Sequence, residues 1–249
     1  LIIGGFEKIY ELAKNFRNEG MDKNHNPEYT SLEYYQAYSD VYEMMNFTED
    51  LVKHVSTIVG DRIFIYNGNE IDLTKPFHKK SMFDLLKEYV KKDLSKMNEK
   101  ALISFARSKS LDLSDKLNYG QVLNKIFGEF VEPHLIEPIF VTDYPKKLSP
   151  LAKEDRNGNV DIVERFELFI AGMEFANAFS ELNDPLEQRR RFELQAKLRE
   201  SGDEEAQIVD ENFLQAMETG MPPTGGVGIG IDRLVMLSKF SADFFHSHS

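Results

Sequence analysis

The sequence predicts an α+β fold in which a mainly antiparallel sheet is flanked by helices. Three observations predict it. Strand patterns rich in aromatic residues come in neighbouring pairs separated by turns. After the first pair, apolar residues recur at helical spacing over a long stretch. Residues 81–131 are rich in Lys and Leu at helical spacing and have no strand signal, which indicates a helical insertion. We treat residues 1–249 as one domain that contains this insertion.

In the first third of the chain, turn-forming residues separate the predicted elements. A helical turn, a strand, a loop and a second strand are expected at residues 4–10, 10–19, 20–27 and 28–38. A helix follows from about residue 41, because apolar residues recur every three or four positions and Ser39 or Asp40 can cap it; Gly60 ends it. Asn67 and Gly68 then predict a hairpin between residues 62–66 and 70–73.

Beyond the helical insertion, the pattern predicts strands again. Strands are expected at residues 139–144, 163–171 and 174–182, with a polar loop at 153–161. Two helices are expected at about 185–201 and 204–219. The end combines a turn at 221–226, a strand with glycine at every second position, and a helix that opens near Asp232.

Composition excludes several classes of protein. The chain has 249 residues, a net charge of −12 and no cysteine, which excludes disulfides, thiolate metal sites and cysteine nucleophiles. It has no apolar run of about 18 residues, so we expect no membrane-spanning helix and a soluble, cytoplasmic setting. Leu1 to Gly5 reads as the tail of a buried strand, and we expect the chain to begin inside a larger protein.

Acidic, phenolic and amide side chains share faces on two predicted strands. Alternation places Asn177, Phe179 and Glu181 on one face of their strand, and Glu33 and Tyr35 on one face of theirs. An acidic and aromatic pocket of this kind suits a cationic ligand. The alternative interpretation is a solvated sheet face.

Two arginines and two glutamates have features of a phosphate site. Arg17 follows a strand and Arg233 lies on a first helical turn, where a guanidinium fork suits a phosphate or a carboxylate. Glu167 and Glu174 lie seven residues apart across a strand turn and are candidate Mg²⁺ ligands. The alternatives are a surface ion pair for Arg17 and a chance pair of acids for the glutamates.

Several stretches together resemble the class II lysyl-tRNA synthetases. Residues 16–20, 25–30 and 33–35 resemble motif 2 of that family, and residues 225–237 resemble motif 3. Residues 149–153, 165–169 and 177–185 are similar to the lysine subgroup. The resemblance runs from Leu1 to Leu237 and implies the class II antiparallel sheet. The sequence has no stretch that resembles motif 1 or the OB-fold anticodon-binding domain of the family. It also departs from the family pattern after Leu237.

The resemblance implies a role for each matching position. The residues implied for ATP binding are Arg17, Glu19, His25, Asn26, Tyr29, Glu167, Glu174, Gly230 and Arg233. Among them, Arg17 and Arg233 are the implied catalytic residues, and Glu167 and Glu174 are the implied Mg²⁺ ligands. For L-lysine, the implied residues are Arg17, Glu33, Tyr35, Asn177, Phe179, Glu181 and Gly228.

The implied activity is that of a lysine-tRNA ligase. Lysine and ATP form lysyl-adenylate, and the lysyl group then passes to the 3′ end of tRNA(Lys), with Mg²⁺ as cofactor and a homodimer as the full-length assembly. One rival is the paralogue that attaches lysine to elongation factor P, which carries Ala where Gly228 stands and lacks the 179–185 pattern. The other is a non-catalytic synthetase-like module, which usually lacks one of the two arginines.

Overall fold

A computed structural model describes residues 1–17, 26–59, 62–113, 117–200 and 208–237. The strands are β1 Lys8–Phe16, β2 Glu28–Ala37, β3 Ile63–Tyr66, β4 Asn69–Asp72, β5 His78–Ser81, β6 Ile139–Pro145, β7 Ile162–Ile170, β8 Met173–Ser180 and β9 Thr224–Gly230. The helices are α1 Val41–Val59, α2 Met82–Val90, α3 Glu99–Ser108, α4 Tyr119–Phe130, α5 Pro185–Glu200 and α6 Glu211–Glu218, with a further helix over residues 231–237.

Seven strands form one sheet in the order β1-β2-β9-β8-β7-β6-β5, and β3 and β4 form a separate hairpin. Every neighbouring pair in the large sheet is antiparallel except β5 and β6, which are parallel. The chain therefore has the α+β fold that the sequence predicts. The polar strand β5 was not predicted, because its residues His78 to Ser81 lack an apolar alternation.

The two faces of the sheet are covered differently. Helix α1 covers one face, where it packs on small and apolar side chains of β2, β8 and β9, among them Tyr34, Ala176, Ala178 and Val227. On the opposite face, α2 to α4 share a core with β6 and β7. The helices predicted within 81–131 are thus packed against the sheet, while their status as an insertion stays a prediction.

Capping explains where several helices begin. Asp40 accepts hydrogen bonds from the backbone N–H groups of Tyr42 and Glu43 at the start of α1. Asn118 and Gln121 form a capping box at α4. Asp210 caps α6 through Phe213 N, so this helix begins at Glu211, and the start predicted at residue 204 is wrong because residues 208–210 are not helical.

The amino-terminal predictions need two corrections. Residues 2–5 form a turn, closed by a hydrogen bond from Gly5 N to Ile2 O of 3.0 Å, and Leu1 is exposed, so the first residues are not a buried strand. The helical turn predicted over residues 4–10 is also absent, because β1 already begins at Lys8 and pairs there with Gln36. Among the described residues, no helix has the length and apolar character needed to cross a membrane.

Candidate functional site

The face of the sheet opposite α1 carries one row of residues across four strands. Glu33 on β2 pairs with Gly228 on β9, which pairs with Asn177 on β8, which in turn pairs with Glu167 on β7. Residues that pair directly across strands point to the same face. The row therefore places two carboxylates and an amide on one surface, with a glycine in the middle.

A second row lies two residues further along each strand. Here Tyr35 pairs with Gly226, Gly226 with Phe179, and Phe179 with Arg165. Because β9 contributes only glycines to both rows, the centre of the face has no side chains and forms the floor of a depression. The alternation predicted for these strands is confirmed, since Ala176 and Ala178 point the other way, into the core.

An acidic pocket lies at one end of this depression. The Tyr35 hydroxyl donates to Glu33 Oε2 over 3.1 Å. Glu181 follows β8, and burial together with the negative charge of Glu33 raises the pKa of Glu181 to about 8. No described residue donates a hydrogen bond to the Glu181 carboxylate, so the pocket holds an acceptor without a cation. Burial and the charges of Glu181 and Glu33 also raise the pKa of Tyr35.

Arg165 holds the middle of the site together, and sequence analysis gave it no role. Its Nε donates to Asn177 Oδ1 over 3.1 Å, and its Nη1 donates to Leu148 O and Ser149 Oγ over 3.0 and 2.7 Å. A third nitrogen, Nη2, pairs with Glu167. An arginine on the same strand face as a candidate ligand, two residues away, is a signal that could have identified it.

Aromatic rings enclose the Arg165 guanidinium. Its Cζ lies 4.5 Å from the ring centroid of Tyr144 and 5.4 Å from that of Phe179. The Tyr144 hydroxyl also donates to Glu167 Oε2 over 2.6 Å. Stacking and the planar donor fork fix both the charge and the direction of the guanidinium. Asn177 and Glu167 are consequently held in defined orientations.

Acidic groups gather at the other end of the depression. Burial and the charge of Glu167 raise the pKa of Glu174, and the same two causes raise the pKa of Glu132 to about 7. Glu132 belongs to a single 3₁₀ turn after α4 and was not predicted from sequence, because nothing in its local pattern relates it to β7. In the part of the chain that the structure describes, no three acidic or histidine side chains form a preassembled metal cluster.

Arg233 lies beside this acidic group. Its Nη1 donates to the backbone carbonyl of Glu174 and lies 4.0 Å from Glu174 Oε2. The stem of Arg233 passes over Gly230, since a Cβ on that glycine would lie 3.7 Å from Arg233 Cδ. Arg233 is thus directed across the end of β9 toward the acids.

Arg17 and Tyr29 stack at the outer end of β1 and β2. The Arg17 Cζ lies 5.1 Å from the Tyr29 ring centroid, and Arg17 N donates to Pro27 O over 2.9 Å. Asn26 is exposed and donates to Glu28 O. The predicted ATP residues Glu19 and His25 lie outside the described residues.

Backbone register connects Arg17 to Arg233. Tyr29, which stacks on Arg17, stands two residues before Ser31, and Ser31 pairs with Gly230. Thr30 N also donates to Asp232 Oδ2 over 2.8 Å, which ties β2 to the first turn of the last described helix. Both predicted arginines therefore emerge at the same end of the sheet.

A cavity of about 520 Å³ opens beside Glu181 at the opposite end of β8 and β9. Arg156 pairs there with Glu164 and Asp40, and Ser180 donates to Glu164. Glu164 points to the core side of β7, so this network lies behind the depression. No sequence pattern points to this network, because Arg156 belongs to a polar loop.

The chain matches the family described as "tRNA synthetases class II (D, K and N)" over residues 1–241. It is similar to the "Lysine--tRNA ligase" of Thermoanaerobacter sp. (strain X514), 52% identical over 238 residues, which is 95% of this chain and 48% of that protein. The protein of that name from Prochlorococcus marinus (strain MIT 9215) is 52% identical over 246 residues, 97% of this chain and 48% of the relative. That from Christiangramia forsetii is 49% identical over 237 residues, 95% and 42%. The chain spans about half the length of these curated relatives.

Proposed function

Because the chain belongs to the class II tRNA synthetases of the D, K and N group, we propose that it activates L-lysine with ATP and transfers the lysyl group to tRNA(Lys). The observation that carries the proposal is the Glu181 carboxylate, which lies beside Glu33 and Tyr35 and receives no hydrogen bond from a described residue. A pocket with this surplus of negative charge suits an amino acid with a cationic side chain. The names of the relatives agree with lysine.

In this proposal the lysine side chain enters the acidic pocket. Its ε-ammonium pairs with Glu181 and donates to Tyr35, with Glu33 beside them, while Phe179 packs on the aliphatic stem. Gly228 leaves room in the floor. Asn177 is oriented by Arg165 and receives the carboxylate end of lysine, where Arg17 also acts.

ATP occupies the other end of the depression in this proposal. Arg17 contacts the α-phosphate, and Arg233 braces the γ-phosphate and one face of the adenine. Tyr29 stacks on the other adenine face, and Gly230 lets the nucleotide approach the strand. Glu19, His25 and Asn26, which stand between β1 and β2 in the sequence, contact the adenine edge and the terminal phosphates in this proposal.

The acidic group suits a magnesium ion held together with ATP. Burial and the charge of Glu167 raise the pKa of Glu174, and the nearby positive charges of Arg233 and Arg165 only partly oppose this. Such carboxylates, together with substrate phosphates, are the oxygen donors that Mg²⁺ prefers. We assign Glu167 and Glu174 as its protein ligands, and the ion would neutralise phosphate charge.

Positioning and charge neutralisation are sufficient for the chemistry. A lysine carboxylate oxygen attacks the α-phosphorus in line, and the bond to the bridging oxygen breaks. Pyrophosphate leaves with that electron pair. Arg17 and Arg233 stabilise the negative charge that develops on the phosphoryl oxygens. In the second step a terminal ribose hydroxyl of tRNA attacks the lysyl carbonyl carbon, loses its proton, and displaces AMP.

The same pocket accounts for selectivity. A neutral amino acid of equal length cannot donate the charged hydrogen bonds that the ε-ammonium gives to the ionised Glu181, a loss on the order of 2–4 kcal/mol. The rival activity, lysylation of elongation factor P, uses the same first step and differs in its acceptor. Gly228 and the Phe179 to Pro185 stretch favour the tRNA ligase, because they match the synthetase pattern.

We also propose that the full-length protein is a cytoplasmic homodimer. Three apolar side chains on one face of edge strand β1 support an interface there; Tyr10, Leu12 and Phe16 are 79%, 62% and 74% exposed. Analytical ultracentrifugation tests this. A full-length protein that stays monomeric at micromolar concentration contradicts it.

Lysine-dependent exchange between ATP and pyrophosphate tests the activation step. We expect exchange with L-lysine, and loss of at least tenfold in Glu181→Gln at limiting lysine. Glu70→Gln is the matched control, because Glu70 is exposed on the separate β3-β4 hairpin. Exchange that is absent, or equally impaired in both variants, contradicts the proposal. Charging of tRNA(Lys) against lysylation of elongation factor P then separates the two acceptors.

A further inference from the structure

An unusually basic surface lies on the helices beside the site. Residues 75–109 contain ten lysines and arginines and four acids, although the whole chain has a net charge of −12. Six exposed lysines at the end of α2, in the following loop and around α3 make up what we call the basic surface: Lys87, Lys91, Lys92, Lys96, Lys100 and Lys109. Positive charge is therefore concentrated on this surface, although the chain as a whole is acidic.

These lysines lack the ion pairs found elsewhere. On other helices, Lys53 pairs with Glu49 over 2.6 Å and Arg190 with Glu187 over 2.7 Å. Among the described residues, no acid lies within ion-pair distance of any lysine of the basic surface. Asp93 lies close to Lys87 and Lys96, but its carboxylate accepts hydrogen bonds from the Ser95 hydroxyl and amide. Among the described residues, Asp93 thus offsets part of this charge at a distance, and no acid forms a direct ion pair with these lysines.

An aromatic ring brings two of the lysines together. The Nζ atoms of Lys92 and Lys109 lie 4.9 and 5.8 Å from the ring centroid of Phe105 on α3. Each ammonium is attracted to the face of the ring. The ring therefore holds two positive charges near each other.

Helix stability does not explain the arrangement. Cations are favourable at a helix carboxyl end, which suits Lys91 after α2 and Lys109 after α3. However, Lys96 and Lys100 lie at the amino end of α3, where positive charge is unfavourable. The helix dipole therefore does not account for these two positions.

We propose that the basic surface binds the sugar–phosphate backbone of the tRNA substrate, away from the reacting atoms. This inference rests on the proposed function for the identity of the RNA. It is supported by charge complementarity and by position, because α2 to α4 share a core with β6 and β7 on the face that carries the site. Contacts of lysine with phosphate position an RNA without reading its sequence.

Fluorescence anisotropy with a labelled tRNA(Lys) transcript, measured between about 50 and 200 mM salt, tests the proposal. The test variant is Lys87→Gln/Lys91→Gln/Lys96→Gln. The matched control is Lys8→Gln/Lys125→Gln/Lys197→Gln, which removes the same charge from exposed lysines outside the surface. We expect the test variant to bind about tenfold more weakly at low salt, with a log–log salt slope reduced by about 2–3. The control should change affinity by less than about threefold.

Several results overturn the inference. They are equal weakening by the two triple variants, no RNA binding at low salt, and competition by poly-glutamate as effective as that by tRNA at equal charge. Lysine-dependent ATP–pyrophosphate exchange without RNA separates this inference from the proposed function. If exchange is intact and the two variants bind RNA alike, the surface inference fails alone. If exchange is absent and the salt slopes still differ, the proposed function fails and RNA binding by the surface stands.

Discussion

Glu181 lies directly over Gly226. A Cβ atom on Gly226 would come within 2.2 Å of Glu181 Oε1 and 2.7 Å of the Tyr35 ring. The backbone of Gly226 has an ordinary strand conformation that other residues adopt. Glycine is therefore required here because there is no room for a side chain, and not because of its backbone conformation. Two groups of the acidic pocket are held over a position that only a hydrogen can occupy.

Gly226→Ala should displace Glu181 and Tyr35 and weaken lysine binding by at least tenfold, while ATP binding changes little. The methyl group enters the acidic pocket and lies far from Arg17 and Arg233 along β9. Calorimetric titration with each ligand measures the difference. Gly228→Ala also fills the floor but leaves Glu181 and Tyr35 in place, because the nearest neighbour of an added Cβ there is Glu33 Cγ at 3.9 Å, so it should weaken lysine binding less than Gly226→Ala. Lysine binding that survives in Gly226→Ala contradicts the geometry.

Lysine affinity should rise with pH up to about pH 8. Burial and Glu33 raise the pKa of Glu181 to about 8, so the free pocket is mostly protonated at neutral pH. Binding an ammonium favours the ionised carboxylate and lowers this pKa, so protons are released on binding. We expect the dissociation constant for lysine to fall about tenfold per pH unit between about pH 6 and 7.5 and then to level off.

Glu181→Gln should remove this pH dependence and leave weak, flat lysine binding over the same range. Glu33 and Tyr35 face Glu181, so Glu33→Gln is the companion variant. Removing the Glu33 charge should lower the pKa of Glu181 and move the levelling point to lower pH. A lysine dissociation constant that is independent of pH in the unsubstituted chain contradicts the interpretation.

The acidic pocket could be predicted because its signal is local. Alternation alone places Asn177, Phe179 and Glu181 on one face, and the structure bears this out through the pairing of β8 with β9. The fold class could be predicted for the same reason, because most strands show a local strand pattern and come in neighbouring pairs along the chain. Strand β5 was missed because it is polar and pairs with β6, almost sixty residues further along the chain.

The contacts of the supporting residues could not be predicted, because their partners are distant in sequence. Arg165 contacts Ser149 and Asn177, and Arg156 contacts Asp40 across a loop and a helix. Glu132 lies in a turn after α4 that packs against the turn between β7 and β8, and it reaches the acidic group through this tertiary contact. Pairings of this kind depend on tertiary structure, which strand and helix periodicity does not encode.

Arg165→Lys should impair both stability and the site. Lysine keeps one charge but loses the fork that holds Asn177, Glu167 and Ser149 and the plane that stacks on Tyr144. We expect a loss of about 2–3 kcal/mol in the free energy of unfolding, measured by urea titration. Arg189→Lys is the control, since Arg189 makes an exposed bidentate pair with Glu211 and its substitution should cost less than about 1 kcal/mol. Similar losses in both variants would show that Arg165 is an ordinary surface arginine.

Arg156→Gln should destabilise the chain most at neutral pH. Burial alone would raise the pKa of Glu164, but hydrogen bonds from Arg156 and Ser180 outweigh it and lower that pKa. A lowered pKa contributes stability above the ordinary carboxyl value and loses it as pH falls. Without Arg156, the buried Glu164 charge is only partly compensated, and we expect a loss of about 2–4 kcal/mol at pH 7. The loss should shrink below about pH 4, where Glu164 is protonated in the variant and increasingly so in the unsubstituted chain.

Arg190→Gln, which breaks an exposed pair with Glu187, should cost less than about 1 kcal/mol at pH 7. Urea titrations at both pH values measure these changes, and a loss in Arg156→Gln that does not depend on pH would mean that the guanidinium acts through packing alone.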